Sequence, residues 1–134
     1  MIKHLKISTS GQGLKDITKE VINLIRASGI NDGLCTLFLR HTSASLLVQE
    51  NTDPSVRHDL ENWFNRLVPE NDGLYTHLTE GPDDMPSHIK TMLTATPLSI
   101  PIDNGELVLG TWQGIYLFEH RRLGSERHIV MHLI

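Results

Sequence analysis

From Glu106 to His120 the chain reads ELVLGTWQGIYLFEH, a run that is apolar on both faces if it is extended. Side chains alternate along a strand, so one strand here puts Val108, Trp112, Tyr116 and Phe118 on one side. Leu107, Leu109, Ile115 and Leu117 then take the other. Such a strand has to be covered from both directions. That requirement constrains the fold more than any other feature of the 134 residues.

The other predicted elements are shorter. Ile2 to Thr9 alternates loosely and reads as a first strand, followed by a loop over Ser10 to Gly13. Lys15 to Ser28 carries Ile17, Val21, Leu24 and Ile25 at helical spacing, and Gly29 is a natural stop. Gly33 to His41 is a strong strand with Cys35, Leu37, Leu39 and His41 on one face, and Ser45 to Gln49 is the next. Asp53-Pro54 starts a second helix, with a carboxylate N-cap followed by proline in the first turn. Its apolar stripe is Val56, Leu60, Trp63, Phe64 and Leu67. Glu70 to Pro82 is polar and loop-like, and Pro86 to Leu93 fits a third helix with Asp83 and Asp84 at its positive end. Leu98 to Asp103 is a strand, Asn104-Gly105 a hairpin turn, and Arg127 to Ile134 the closing strand.

This order predicts an α+β fold, a mostly antiparallel sheet with a sandwich-like core, three helices and a C-terminal meander, all in one domain over residues 1–134. Three short helices hardly cover both faces of a six-stranded sheet, so a partner subunit is predicted. The formal charge of −4 argues against nonspecific binding to nucleic acid or anionic membrane. No run is long enough for a membrane-spanning helix, and MIKHLKIST has no signal-peptide pattern. The single cysteine, Cys35, lies in the apolar run LCTLFL and reads as a reduced core thiol, which fits a cytoplasmic location.

Chemistry-bearing side chains concentrate between His41 and His88. That stretch holds four of the eight histidines and nine of the sixteen acids, but only two of the twelve basic residues. Imidazoles among carboxylates suit a borderline or hard metal ion. His41 reads either as a core histidine at a strand end or as a ligand. His77 and His88 flank LTEGPDDMPS and read as surface histidines or as a converging pair. Three histidines with an open position are a pattern of catalytic zinc. Glu50 has no evident structural task and is an acid–base or magnesium candidate, whereas Asp53 has its capping role. Glu80, Asp83 and Asp84 can complement the helix dipole or hold Mg²⁺ on a phosphate. Gln113 and Glu119, with Thr111, interrupt an apolar row and can orient a ligand. Gly110 and Gly114, on the opposite face, permit close approach of another backbone. His58 reads as a solvated helix residue, His4, His128 and His132 as structural, and His120 as a weaker site candidate. Arg40 and Arg121 are available to hold phosphates, and Ser43 joins them as a substrate-binding candidate. No Walker loop, GxGxxG or GxSxG occurs, and nothing fixes a serine triad.

Several long runs resemble the YjbQ-like family, also called secondary thiamine-phosphate synthases. They are HTSASL at 41–46, QENTDPSVRHDLENWF at 49–64, VPEND at 68–72, YTHLTEGPDDMPSHIK at 75–90 and GTWQGIYLFEHR at 110–121. The resemblance implies a compact α+β homotrimer with a sheet-rich interface and a metal cluster at His41, His77 and His88. Glu50, Asp53, Gln113 and Glu119 lie within the same runs. It further implies a thiamine-phosphate synthase activity, joining an aminopyrimidine methyl pyrophosphate to a thiazole phosphate with release of pyrophosphate. The dedicated synthase is a TIM barrel, which 134 residues cannot build, so the proper substrate can be a different one. The expectation is a metal-dependent enzyme on a small phosphorylated substrate. Zinc would sit at the histidines, or Mg²⁺ with a pyrophosphate; in the hydrolase alternative Glu50 or Glu80 would be the base. A hydrolase of another substrate and a non-catalytic metal- or anion-binding trimer are the alternatives.

Overall fold

A computed structural model describes all 134 residues. The chain runs β1 (Ile2–Ser8), β2 (Gly13–Asp16), α1 (Thr18–Ser28), β3 (Gly33–Leu39), β4 (Ala44–Glu50), α2 (Pro54–Leu67) and α3 (Asp84–Leu93). It continues through β5 (Pro97–Asp103), β6 (Glu106–Leu107), β7 (Gln113–Glu119) and β8 (Glu126–Leu133). Five strands form one sheet in the order β1-β8-β3-β5-β6, and three form a second in the order β2-β7-β4. Every ladder is antiparallel, so the α+β class and the three helices stand as predicted.

The two sheets pack face to face. Cys35, Leu37, Leu39, Ile100, Ile129, Met131 and Leu133 of the larger sheet meet Ala44, Leu46, Ile115 and Leu117 of the smaller one. Ile17, Val21 and Ile25 at and within α1 close one end. Each large side chain of this kind, fully buried, contributes about 1.5–3 kcal/mol. The back of the smaller sheet is covered by α2, where Phe64 and Val68 pack on Phe118.

The expected strand over Glu106 to His120 is two strands in two different sheets. β6 pairs with β5 through Ile102↔Leu107, whereas β7 lies between β2 and β4. The crossing is made by two tight turns. In the first, a γ-turn, Leu109 N–H donates to Leu107 O at 2.8 Å. In the second, Gln113 folds back so that its Oε1 accepts from Gly110 N–H at 2.8 Å. Two-sided apolarity holds for β7, where residues 114 to 119 are all buried. Its cover comes from within the chain, from the larger sheet on one side and α2 on the other. The partner subunit inferred from that strand is therefore not required by it.

Other differences are local. β2 takes Lys15 and Asp16, expected in the first helix, because Lys15 pairs with Leu117 and Asp16 with Tyr116. Thr18 then starts α1, its hydroxyl donating to Asp16 Oδ1 at 2.6 Å and accepting from Ile115 N–H at 2.8 Å. Gly114 is crowded by side chains rather than by another backbone: a Cβ there would stand 3.1 Å from Asn51 Cβ and 3.2 Å from Thr18 Oγ1. Asp53 caps α2 by accepting from Ser55 N–H at 2.9 Å, with Pro54 in the first turn. Asn104 and Gly105 have φ of 52° and 78°. They are the left-handed pair that a type I′ hairpin requires. No helix is long and apolar enough to cross a membrane.

Candidate metal centre

The loop after α2 and the first two turns of α3 bring four ligand groups together. The donor atoms of His77, Glu80, Asp84 and His88 all lie within 4.8 Å of one another. Asp84 and His88 share a helix face because they are four residues apart. Asp84 is the hub, although its side chain is only 5% exposed. Its Oδ2 stands 2.7 Å from His77 Nε2 and 3.0 Å from His88 Nε2. His77 Nε2 also lies 3.0 Å from Glu80 Oε2.

Arg121, just beyond β7, fixes this arrangement. Its Nε donates to Asp83 Oδ2 at 3.0 Å, another nitrogen donates to Asp84 Oδ1, and NH2 donates to Glu80 O at 2.8 Å. Asp83 also accepts from Arg122 N–H at 2.9 Å. It makes no side-chain cap on α3, so its carboxylate serves the arginines instead of the helix end. Burial by itself would raise both aspartates. Bonds from His77 and Glu80 and the charges of His88 and Arg121 reverse this for Asp84, while Arg122 N–H and Arg121 do so for Asp83, and both end below the usual carboxylate range. His77 is pushed up, first by its bond to Asp84 and also by Glu80.

His88 is held from two sides. Its Nδ1 lies 3.1 Å from Thr42 O, a carbonyl that can only accept, so Nδ1 carries a proton. Its Nε2 then faces the Asp84 carboxylate at 3.0 Å, a contact joined either by a second ring proton, as an imidazolium–carboxylate ion pair, or by a metal ion. Histidine ligands of metals characteristically donate their other N–H to a backbone carbonyl in this way.

The remaining predicted site residues are elsewhere. His41 is not in the group: its Nε2 accepts from His128 N–H at 2.8 Å, and its Nδ1 faces Arg127 at 3.3 Å. Burial and then the charge of Arg127 hold it below the ordinary histidine value. The three-histidine set is thus replaced by two histidines and two carboxylates. Glu50 does have a structural task, because its Oε2 accepts from Thr52 and Asp53 N–H at 3.2 and 2.9 Å and holds the turn before α2. Gln113, paired with Glu50 in register, closes the turn described above. Both sit at the opposite end of β4 and β7 from the Ala44–Glu119 pair, six residues along each strand. At the usual strand rise that is about 20 Å.

Glu119 is buried in an ion pair with Arg127, their side chains 1% and 5% exposed. It also accepts from Thr9 Oγ1 at 2.6 Å and from Arg121 N–H at 3.2 Å. Ser43 Oγ accepts from Arg127 at 2.9 Å, and Arg121 has three of its five side-chain N–H donors engaged as described. Arg40 is exposed beyond β3, its backbone N–H on His128 O at 3.1 Å. Glu119, Ser43 and Arg40 do not converge on the metal group. The residue that the sequence pattern underplays is Asp84, read there only as part of the Glu80–Asp83–Asp84 acidic cluster, although its spacing of four from His88 at a helix start puts the two on one face. Cys35 is a core thiol as predicted, and burial raises it to about 11.

Fold and site together define a small two-sheet α+β domain with a mixed histidine–carboxylate group at a helix N-terminus. The chain belongs to the family described as UPF0047 protein YjbQ-like, whose model matches residues 3–134. It is 50% identical over 129 residues to UPF0047 protein sll1880 of Synechocystis, covering 96% of this chain and 88% of that one. To UPF0047 protein YjbQ of Escherichia coli O157:H7 it is 49% identical over 129 residues, covering 96% and 93%. The crystal structure of an uncharacterized conserved protein of the yjbq/upf0047 family from Clostridium acetobutylicum superposes with a TM-score of 0.89 at 34% identity, covering 98% and 99%.

Proposed function

We propose that this chain is a metal-dependent enzyme acting on a small phosphorylated molecule, with a divalent cation held by His77, Asp84 and His88 and with Glu80 beside it. The observation that carries this reading is the convergence of the His77, Glu80, Asp84 and His88 donor atoms within 4.8 Å, with His88 Nδ1 on Thr42 O and its Nε2 facing Asp84 Oδ2. Mixed imidazole and carboxylate donors suit zinc first among the common ions, and Mg²⁺ is the choice if a pyrophosphate supplies further oxygens. A cation there supplies Lewis acidity to a phosphoryl oxygen. Arg121 orients Asp84, and Glu80, with its side chain 62% exposed, is the group placed to exchange protons with a reactant. The concrete reaction is the one the family resemblance implies: the thiazole nitrogen bonds to the pyrimidine methylene carbon, the carbon–oxygen bond breaks, and pyrophosphate leaves.

Metal analysis and calorimetric titration test the site. One zinc should bind per chain, be lost in His77→Ala and in His88→Ala, and be retained in His41→Ala. Retention in both of the first two variants overturns it. Complementation of a thiamine-requiring strain, with an in vitro coupling assay run with and without chelator, tests the reaction. The exposure of Glu80 favours a second reading, hydrolysis, with Glu80 as base. A panel of phosphate esters and amides separates the two, and metal binding without turnover on either would leave a non-catalytic trimer.

A homotrimer is part of the proposal. The outer face of the larger sheet leaves Ile2, Leu34 and Phe38 at 54%, 37% and 50% exposure, with no helix over them. Light scattering on the purified chain gives the oligomeric state. The proposed compartment is the cytoplasm, in keeping with one unpaired cysteine.

A further inference from the structure

Lys90 lies two residues beyond His88 and so projects about 200° round α3, away from the metal group. It is buried to 4% exposure. An ammonium has three N–H donors, and Lys90 uses one, on Asn65 Oδ1 at 2.5 Å. A side of the charge rests over the Phe64 ring, 5.7 Å from its centroid. Two hollows of about 220 and 260 Å³ meet at Lys90, Asn65 and Gln12. A buried ammonium with unused donors facing an open hollow is costly unless something accepts from it.

The smaller hollow also contains a carboxylate. Glu61 Oε1 accepts from Leu14 N–H at 2.7 Å, leaving Oε2 without a protein donor. The other acid there, Glu119, is consumed by Arg127. In the adjoining hollow Glu70 is paired with Arg122. Lys90, with Glu70 and Asp83 as its neighbouring negative charges, and Glu61, whose Oε2 takes no protein donor, therefore face the same small space, among the amides of Asn62, Asn65 and Gln12. Neither a simple anion nor a simple amine matches both.

We propose that this cleft binds a small amino carboxylate, its carboxylate on Lys90 and its ammonium on Glu61. The pairing is complementary in sign and places a charge-assisted hydrogen bond at each end. The site is separate from the metal group and does not depend on the proposed enzymatic activity.

The test is calorimetric titration and thermal unfolding of the full chain with glycine, alanine, β-alanine and γ-aminobutyrate. Propionate and ethylamine serve as single-charge controls. Because amino acids chelate metals, the titrations are repeated on His88→Ala in chelator. One amino carboxylate should bind saturably in both proteins, at least about tenfold more tightly than either control, the factor that about 1.4 kcal/mol supplies. Lys90→Met and Glu61→Gln should each lose at least that factor. Glu61→Gln keeps the Leu14 bond and so tests the idea even if Lys90→Met does not fold. Equal binding of the controls, undiminished binding in Glu61→Gln, binding abolished in His88→Ala, or no binding at all each overturns the proposal.

Discussion

The exit of β7 and the start of α3 hold clusters of the same residue types, yet their hydrogen bonds balance differently. Around Glu119 every close contact joins a donor to an acceptor: Thr9 Oγ1, Arg127 Nε, Arg127 NH2 and Arg121 N–H all donate to its two oxygens. Around Asp84 two imidazole nitrogens, His77 Nε2 and His88 Nε2, meet one carboxylate oxygen, and each contact is joined by a proton or by a metal ion. The first cluster is sealed within the protein, and the second opens to solvent through His77 and Glu80, whose side chains are 40% and 62% exposed. A set of polar groups closed on itself reads as structure, whereas one whose contacts exchange a proton for a metal ion and that opens to solvent is where a ligand is proposed.

The largest way to break this comparison is to open the sealed cluster. Glu119→Ala leaves the Arg127 guanidinium buried without a counter-charge, and should cost about 3–5 kcal/mol in urea unfolding. A loss below about 1 kcal/mol would put Glu119 outside the structural class. The neighbouring His120 sharpens the same point. It is 1% exposed, its Nε2 lies 2.9 Å from Ser45 Oγ, and its Nδ1 has no partner. Burial, then the charges of Lys90 and Arg127, lower it to about 3. Its unfolded value is 6.5, so the stability from its neutral form is complete above pH 6.5 and is lost as pH falls toward 3. Unfolding titrations over that window should show a decline on the order of a few kcal/mol. In His120→Phe the slope should flatten, even though Ser45 loses its partner and the protein is weaker at pH 7.

At the open cluster the effects are on binding. Removing a direct ligand, by Asp84→Asn or His88→Ala, should weaken zinc by more than about a hundredfold. Arg121→Gln removes an outer partner and should fall in the range of roughly 10–100-fold. His41→Ala, measured by the same titration, should change nothing. A uniform effect across all four variants would mean general unfolding rather than a metal centre.

The strand and helix periods in the sequence carry most of the fold, because burial follows alternation and spacing directly. Cys35, Leu37 and Leu39 are at 0 to 1% exposure, while Leu34 and Phe38, on the other face, are open. The break between β6 and β7 is hidden because nothing in a two-sided apolar run marks where it changes sheets. The turn depends on Gln113 reaching back to Gly110, a contact that only the folded chain displays. In the site, His77 and His88 are legible from composition and proximity, but His41 is not separable from them by residue type. Its fate is decided by the backbone of His128, 87 residues away. Glu50 escapes a correct reading for a similar reason, since its partners are backbone N–H groups that no residue type announces.

The smallest expected effect concerns Glu80. Its bond and charge add to that of Asp84 in raising His77, and the raised imidazole keeps its proton to higher pH. Zinc must displace that proton, so affinity should rise with pH as His77 deprotonates. Asp84 is lowered and stays ionised throughout that range. For the metal-free protein the sign is opposite: the stability linked to His77 is present below 6.5 and disappears as pH rises through its raised folded value. Glu80→Gln weakens the raising influence while leaving Asp84 in place. The pH at which half the zinc is released should therefore move down slightly, with the melting temperature unchanged because the pair is exposed. If Glu80 is instead a necessary ligand, the same titration shows a large loss of affinity at every pH, and the open cluster would then be a four-ligand structural site with no group left free to move a proton.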